Sequence, residues 1–354
     1  MKLLLINPMP DFVDAVSKRV EDLTILTHPT LVSRHESLAS RGQVIPFWPK
    51  SKVDPIAIRS LFRVLRDNKP DILHAFSPRS LATSVFATMG LRQSPKIVSY
   101  RRIAHALSWF DPGNYITFLH PRIDLHCCES DACAEYLVEA GVPRDKCKTI
   151  YNCIRYQPPP FSKQQLCERF NIPSDAFVVG TTACIRPIKG IDILLEAAAR
   201  CVDLPNVYWL LIGPVEDARV AKLIRKPLFG NRLRMVGLID NAGALANVFD
   251  IFVMPSREEA LCQALLEAMS QGACPVVSDA GGMKELVRSG IDGIVVPREN
   301  SVSLADAIRL LYADRSLVNR YACSAQKRVE AICSPENMAN RVLQMYSSLI
   351  ATES

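Results

Sequence analysis

The sequence lacks the features of membrane-spanning and disordered proteins. Its opening residues hold an apolar run of only four, residues 3–6, which is too short for a signal-peptide core or a membrane span and instead predicts a buried first strand. No segment is low in complexity, and 49% of the 354 residues are hydrophobic. This length and composition predict a folded protein of two domains.

Two signatures of phosphate binding are also absent. No Walker loop and no GxGxxG fingerprint follows any predicted strand, which argues against kinases and dinucleotide-dependent oxidoreductases. The tripeptide Asp-x-Asp does not occur, so the chain offers no obvious carboxylate pair for a metal-bound diphosphate. We therefore expect a site that uses neither a cofactor nor a metal ion.

The chain is not poor in cysteine. Twelve cysteines without an export signal indicate a reducing compartment, and hence the cytoplasm, rather than a disulfide framework. The densest group is His126, Cys127, Cys128 and Cys133. Adjacent cysteines on a strand point to opposite faces, so they are poor ligands for one zinc ion. A buried strand is the favoured interpretation.

The net charge of +6 belongs to the first half of the chain. Residues 1–155 hold 21 basic and 15 acidic side chains, whereas the remainder holds 21 of each. A predicted helix at residues 55–68 carries Arg59, Arg63 and Arg66 on one stripe. Such a basic face suits a phosphate-bearing acceptor or an anionic membrane, and a solvated surface without a partner fits equally well. Nucleic acid is not expected, because no recognition motif is present.

Short β-branched runs alternate with helical patterns, which predicts α/β units with parallel sheets. Three prolines at residues 158–160 interrupt the alternation. We predict an N-terminal domain at 1–155, a C-terminal domain at 156–334, and a last segment, 335–354, that packs back on the first domain. The predicted strands are residues 3–7, 22–27, 43–47, 72–75, 96–100 and 125–129, then 177–183, 207–212, 233–236, 251–254, 274–278 and 294–296.

Glu259 and Glu267 are the most informative residues of the second half. Glu259 lies in a loop before a predicted helix that begins near Cys262, within the positive field of the helix N-terminus. Glu267 lies inside that helix among apolar neighbours, where a carboxylate needs a partner such as two ribose hydroxyls. Two solvated glutamates fit the spacing as well, so spacing alone leaves both interpretations open.

The stretch that follows resembles a known family. A buried strand at residues 274–278 leads to Gly281-Gly282, where backbone can approach a ligand closely. With the preceding loop and helix, this segment resembles the retaining glycosyltransferases of the GT-B fold, glycosyltransferase group 1. The matching residues, in order, are Pro255, Ser256, Glu259, Glu267, Ala268, Met269, Gly272, Pro275, Val276, Val277, Gly281, Gly282 and Glu285, and the match continues through Asp292-Gly293 and Val295-Val296-Pro297.

The resemblance implies a donor site in the second half. It assigns the ribose hydroxyls to Glu267, and Arg186 and Lys189 to the charge of the leaving nucleoside diphosphate. Arg186 stands three residues before Lys189, where five is more usual. The donor sugar and its phosphates are assigned to Glu259 and to the backbone amides of Ala260, Leu261, Cys262 and Gln263. Gly213 and Leu238 match strand-end turns, the second at the place where backbone atoms read the nucleobase.

The first half resembles the family less. His74 lies in a segment like the family's Pro-Asp-Ile-Val-His, and Asn152 matches an asparagine at the domain junction. No glycine-rich loop follows the first strand. Arg101 and Arg102 stand where relatives often place a histidine near the donor sugar, with His105 three residues on. These two arginines fit either an acceptor phosphate or a solvated pair.

The sequence thus predicts a GT-B enzyme with two Rossmann-like domains facing across a cleft. The resemblance implies transfer of a hexose, with retention, from a nucleotide sugar to a glycan or lipid-linked acceptor. We expect envelope polysaccharide or lipopolysaccharide biosynthesis, in the cytoplasm at the inner face of the membrane. Two alternatives stay open. One is a catalytically silent nucleotide-sugar-binding relative, because Ala260 and Cys262 stand where the family often has glycines. The other is a sugar-nucleotide epimerase, which also has two such domains.

Overall fold

The computed structural model describes residues 1–38, 42–108, 110–224 and 227–351. The chain divides into two units. Unit 1 contains residues 1–153 together with the segment that begins at Ser334, and unit 2 contains residues 154–333. Each unit is built around one parallel β-sheet. The predicted α/β class with two doubly wound sheets is therefore confirmed.

Unit 1 has seven strands in its described part. Its elements are β1 (Lys2–Ile6), α1 (Pro10–Ser17), β2 (Asp22–Thr27), α2 (Val32–Leu38), β3 (Gln43–Pro46), α3 (Pro55–Asn68), β4 (Ile72–Ala75), α4 (Pro78–Thr88), β5 (Lys96–Arg101), α5 (Pro112–Tyr115), β6 (Leu125–Cys128), α6 (Asp131–Glu139), β7 (Cys147–Thr149) and a C-terminal helix (Pro335–Ala351). The strand order is β3-β2-β1-β4-β5-β6-β7. The order reverses between β1 and β4, so ligands are expected at the carboxyl ends of these strands.

Unit 2 repeats this plan with six strands in the residues described. Its elements are α7 (Lys163–Arg169), β8 (Phe177–Thr182), α8 (Ile191–Ala199), β9 (Val207–Ile212), α9 (Ala218–Ile224), β10 (Leu233–Gly237), β11 (Ile251–Met254), α10 (Gln263–Ser270), β12 (Cys274–Ser278), α11 (Met283–Leu286), β13 (Ile294–Val296), α12 (Ser301–Ala313) and α13 (Arg315–Cys333). The strand order is β10-β9-β8-β11-β12-β13, with the reversal between β8 and β11.

All twelve predicted strands are present, each within one residue of its expected ends. Central strands such as β8 and β11 are buried along their whole length, which is why they are continuous apolar runs in the sequence. The pattern missed β7, because its three residues, Cys-Lys-Thr, have no apolar period. This strand forms only by pairing with β6, where Cys127 lies opposite Lys148.

The cysteine-rich segment is a strand, as predicted. Cys127 and Cys128 lie in β6 and are fully buried, and Cys133 is buried in α6. All twelve cysteines are free thiols. Within the described ranges, no helix is both long enough and apolar enough to cross a bilayer.

Helix α3 shows how local chemistry sets an element's ends and faces. The Asp54 carboxylate accepts hydrogen bonds from the Ile56 and Ala57 backbone amides and so caps the helix. Lys69, in the left-handed region with φ 47°, ends it. Ala57, Leu61 and Leu65 are buried, and the predicted stripe of Arg59, Arg63 and Arg66 is exposed.

The C-terminal helix completes the core of unit 1. The buried residues Met338, Val342 and Tyr346 belong to the same hydrophobic cluster as Phe12 and as Leu3 and Leu5 of β1. The Tyr346 hydroxyl lies 2.6 Å from Nδ1 of His74, which is fully buried in β4. Burial lowers the pKa of His74 to about 3, so its ring stays neutral at physiological pH.

We predict that Tyr346→Phe loosens unit 1 without unfolding it. The substitution keeps the ring but leaves a buried imidazole nitrogen without its hydroxyl partner, a loss of roughly 1–2 kcal/mol. Hydrogen–deuterium exchange should then be about tenfold faster in β4 and the C-terminal helix. The matched control is Tyr156→Phe, since Tyr156 is 54% exposed. Equal exchange rates in the two variants would show that the hydrogen bond between Tyr346 and His74 contributes nothing to the stability of unit 1.

Candidate active site

The sequence-predicted donor residues come together at the carboxyl ends of β8, β11 and β12 in unit 2. The loop after β8 includes a 3-10 turn, Pro187–Lys189, and leads into α8. The loop after β11 holds Glu259 and leads into α10. Parallel strands end at a common edge, which is how residues seventy positions apart become neighbours.

Lys189 and Glu259 form an ion pair at this edge. Nζ of Lys189 donates to Oε2 of Glu259 over 2.6 Å, and both side chains are largely buried, with 19% and 13% of their side-chain surface exposed. The Ser256 hydroxyl donates to the same carboxylate oxygen over 3.4 Å. A buried ion pair whose two side chains are hydrogen-bonded to one another has a defined geometry, whereas two solvated charges do not.

The electrostatics keep Lys189 charged. Burial by itself lowers the pKa of its ammonium, but Cys262 and Glu259 outweigh burial, and the net pKa lies above the ordinary value. Burial raises the pKa of Cys262 to about 12, so this residue is a neutral thiol at physiological pH. The charge that stabilises the ammonium is therefore the Glu259 carboxylate.

Arg257 holds the two loops in register. Its guanidinium donates to both carboxylate oxygens of Asp192 on α8, at 3.0 and 2.8 Å, and to the Pro187 carbonyl. Its Nε donates to Glu299 over 2.6 Å, and its backbone amide donates to the Ile188 carbonyl over 2.8 Å. The turn that carries Lys189 is thus bonded to the loop that carries Glu259. These bonds raise the pKa of Arg257, with that from Asp192 the largest.

The double glycine after β12 approaches protein backbone rather than open space. Gly281 has a φ of 48°, and a Cβ atom there would collide with the Glu259 carbonyl. The Gly282 amide donates to the Ala260 carbonyl over 3.1 Å. Gly281 is therefore required by the close approach of the Glu259 loop, and the expectation that the glycine pair lets backbone approach a ligand stays a prediction.

Glu267 lies on α10 and faces the turn after β10. Its carboxylate stands directly against Gly243, so that a Cβ atom at Gly243 would overlap it. The N-cap residue of α10, Cys262, makes no side-chain capping bond. The Glu259 loop leads directly into the first turn of α10, so the positive end of the helix lies next to that loop.

The other predicted donor residues differ in exposure. Arg186 and Leu238 are exposed, the latter by 76%, and Gly213 donates to the Gly237 carbonyl over 2.7 Å. Gln263, at the first position of α10, is half-buried. The predicted positions Ala260, Leu261 and Cys262 are buried.

Sequence reasoning missed three residues here: Arg257, Asp192 and Gly243. Arg257 stands beside two glutamates in its loop, so its sequence position alone does not distinguish it from a solvated charge. Asp192 and Gly243 act through contacts with residues far away in the sequence. An arginine between the matching Ser256 and Glu259 was the one available signal.

The acceptor-side residues in unit 1 separate into two groups. Arg101 and His105 come together, because Nη2 of Arg101 donates to the His105 carbonyl over 2.9 Å. Arg102 is exposed, and its Nε lies 3.8 Å from Oε2 of Glu129. His74 lies in the core instead, and Asn152 is also buried. The geometry of these last two supports packing roles rather than contact with an acceptor.

Arg101 is an unusual cation. It is 2% exposed, its guanidinium lies 4.8 Å from the centre of the Phe118 ring, and burial lowers its pKa. Its Nε has no hydrogen-bond partner among the residues that the structure describes. A buried guanidinium with spare donor capacity is suited to an anion.

Family comparisons cover both units. The family model described as "Glycosyl transferases group 1" matches residues 162–328, which include Lys189, Glu259 and Glu267. A second model, "Glycosyltransferase Family 4", matches residues 12–157. The two matches meet near the boundary between the units.

Individual relatives agree with these models. The chain is 32% identical over 181 residues to the lipopolysaccharide core biosynthesis glycosyltransferase LpsE of Rhizobium meliloti, a match covering 51% of this chain and 52% of LpsE. It thus spans about half the length of that relative. A second relative, LpsD of the same organism, is 26% identical over 291 residues, covering 82% of this chain and 78% of LpsD.

A solved structure extends the likeness to the whole chain. The crystal structure of Anabaena Alr3699/HepE in complex with UDP has a TM-score of 0.84 and 22% identity, covering 98% of this chain and 100% of that one. With the two parallel sheets, this similarity supports the GT-B fold that the motif segment predicted.

We predict that Arg257→Gln loosens the turn that carries Lys189. Losing the paired bonds to Asp192 should cost roughly 1–3 kcal/mol locally. Hydrogen exchange across residues 186–190 should then be about tenfold faster. Arg309→Gln is the matched control, because Arg309 also donates hydrogen bonds to one aspartate, Asp203, and to one backbone carbonyl, that of Arg200, in unit 2. Unchanged exchange at 186–190 in Arg257→Gln would contradict the assignment.

Proposed function

Because this chain belongs to the group 1 glycosyltransferases, we propose that it transfers a sugar from a nucleotide-sugar donor to a glycan or lipid-linked acceptor. Support for the setting comes from LpsE and LpsD, both named for lipopolysaccharide core biosynthesis. The proposed pathway is therefore envelope polysaccharide synthesis.

The observation that carries this proposal is the buried pair of Lys189 and Glu259. In the proposed reaction, the bond between the anomeric carbon and the diphosphate oxygen breaks, and the electron pair leaves with the diphosphate. Lys189 is charged and held in place, so it can offset this developing charge, with Arg186 beside it. Fixed charges of this kind are a main source of rate enhancement. Glu259 orients the ammonium and contacts the donor sugar.

Two finer statements follow from the same site. With cations and the first turn of α10 on the diphosphate, the reaction needs no metal ion. The acceptor hydroxyl attacks the anomeric carbon on the face that the diphosphate leaves, so the configuration is retained. Its proton passes to an oxygen of the departing diphosphate as the new glycosidic bond forms. The transferred group is a hexose, in keeping with the UDP-glucose complex described for HepE.

The nucleoside is held by Glu267. Its two carboxylate oxygens can accept from both ribose hydroxyls, and contact with Gly243 fixes the carboxylate's position. Backbone near Leu238, exposed after β10, reads the base. The identity of the base stays open. UDP is the first nucleotide to test, because HepE forms a complex with UDP.

The acceptor binds to unit 1. Arg101 ends β5 at the carboxyl edge of the sheet, Arg102 and His105 follow it, and the three would bind an anionic group of the acceptor. We place the protein in the cytoplasm, at the inner face of the membrane, where a lipid-linked acceptor would be available.

A catalytically silent nucleotide-sugar-binding protein is the second candidate. The specific observation is that Ala260 and Cys262 are buried side chains beside Glu259, where the family often has glycines. Incubation with UDP-sugars separates the candidates. Transfer or release of free sugar supports the enzyme, an epimerised donor indicates an epimerase, and binding without turnover indicates the silent protein.

We predict that Lys189→Met reduces turnover by a factor of about 100 or more, because the departing diphosphate loses its main counter-charge. Steady-state transfer or donor hydrolysis is the measurement. Lys222→Met is the control, since Lys222 is exposed on α9. A companion variant, Lys189→Met with Glu259→Gln, removes the unpaired carboxylate, and thermal unfolding of the single and double variants shows whether Lys189→Met is folded. Full turnover in Lys189→Met would overturn the assignment.

We also predict that Glu267→Gln weakens UDP binding about tenfold, because two charge-assisted hydrogen bonds become weaker neutral ones. Calorimetric titration with UDP and GDP is the measurement. Glu258→Gln is the matched control, since Glu258 is the exposed neighbour in the Glu259 loop. Equal affinity in the Glu267 and Glu258 variants would remove Glu267 from the nucleoside site.

A further inference from the structure

Exposed apolar side chains of unit 1 concentrate in two segments. The first follows β3 and contains Trp48, Val53 and Ile56, which are 46%, 54% and 83% exposed. The second follows β5 and contains Phe110, which is 96% exposed. Single exposed apolar residues are ordinary, but a group of large ones marks an interaction site.

The two segments touch one another. A Cβ atom at Gly113, just after Phe110, would collide with Nζ of Lys52 from the first segment. The Trp48 ring also lies 4.7 Å from the ring of His28, centre to centre, edge to face. The contact between Lys52 and Gly113 therefore places the two segments side by side at the carboxyl edge of the sheet, since β3 and β5 are parallel and end at the same edge.

Local hydrogen bonds fix the backbone of both segments. Asp54 accepts hydrogen bonds from the backbone amides of Lys50, Ile56 and Ala57, and Asp111 accepts one from Gly113. The backbone bonds, that from Lys50 foremost, lower the pKa of Asp54. Both carboxylates thus act as caps for local backbone.

Cations surround the apolar residues. Lys50 and Lys52 lie in the first segment, and Arg59 and Arg63 lie one and two turns further along α3. Arg66, one turn beyond, is bonded to Asp67 over 2.9 Å. We define the apolar–basic surface as Trp48, Lys50, Lys52, Val53, Ile56, Arg59, Arg63 and Phe110.

We propose that the apolar–basic surface docks unit 1 on an anionic lipid bilayer. Trp48, Val53, Ile56 and Phe110 enter the interface, and the four cations contact lipid headgroups. Aromatic and aliphatic side chains between lysines and arginines are the composition that interfacial binding favours. Protein interfaces instead are depleted in lysine, which is present here twice.

The inference rests on the proposed function in one respect only, the lipid-linked acceptor. Arg101 at the end of β5, and Arg102 and His105 just after it, lie at the same edge of the sheet as the apolar–basic surface. An acceptor anchored in the bilayer would therefore present its anionic group to the edge where these residues lie.

Vesicle co-sedimentation tests the proposal. Wild-type protein should bind vesicles of phosphatidylcholine containing roughly one-third phosphatidylglycerol, and bind pure phosphatidylcholine about tenfold more weakly. Ile56→Ser with Phe110→Ser should lower binding to anionic vesicles about tenfold or more, because two large apolar side chains no longer leave water. Arg59→Gln with Arg63→Gln should lower it about tenfold and weaken its dependence on salt.

Two control variants match these changes in unit 1. Met89→Ser removes an apolar side chain that is 62% exposed at the end of α4. Arg144→Gln with Lys148→Gln removes two charges next to and within β7, at the opposite edge of the sheet from β3. Both should bind anionic vesicles like the wild type.

Three outcomes would overturn the proposal: no binding of the wild type to anionic vesicles, equal losses in test and control variants, or a dimer that the Ile56 and Phe110 substitutions dissociate in the absence of lipid. Transfer to a soluble acceptor is assayed in parallel. Lost vesicle binding with normal transfer refutes the surface alone, and absent transfer with normal vesicle binding refutes only the proposed function.

Discussion

The ion pair between Lys189 and Glu259 depends on two loops that leave different strands and must still meet within hydrogen-bond distance. Arg257 joins them, through bonds to Asp192, to the Pro187 carbonyl and to the backbone of Ile188. Burying an ammonium is costly unless its partner is fixed, so the clamp is a condition for a charged lysine at this place.

Most of the fold was predictable, because parallel strands covered on both faces are continuous apolar runs. The order of strands and the pairing of β7 were not predictable in this way, since both depend on contacts between distant segments. The same division applies to the site. Lys189, Glu259 and Glu267 stand in a segment whose pattern is specific. Asp192 and Gly243 carry no pattern and acquire their roles only when α8 and the turn after β10 are packed.

The two units differ in how far their chemistry can be inferred. Unit 2 has a fixed cation, a fixed carboxylate and a helix N-terminus directed at one edge. Unit 1 has a buried guanidinium at Arg101 and an exposed one at the next residue, Arg102. Its two other predicted acceptor-side residues, His74 and Asn152, are buried in the unit. Residues that match a family pattern can therefore serve packing, as His74 does through its hydrogen bond to Tyr346.

The C-terminal helix has a consequence for how the chain is made. Unit 1 is discontinuous: residues 1–153 are synthesised before unit 2, but its core closes only with Tyr346, which is synthesised after unit 2. Unit 2 is contiguous and can fold as soon as it has emerged. The apolar side of β1 and β4 must wait through the synthesis of unit 2 for its cover, which makes the nascent first unit a natural client for chaperones. Loss of the helix Pro335–Ala351 would thus uncover the core formed by residues 1–153, which lie far from it in the sequence.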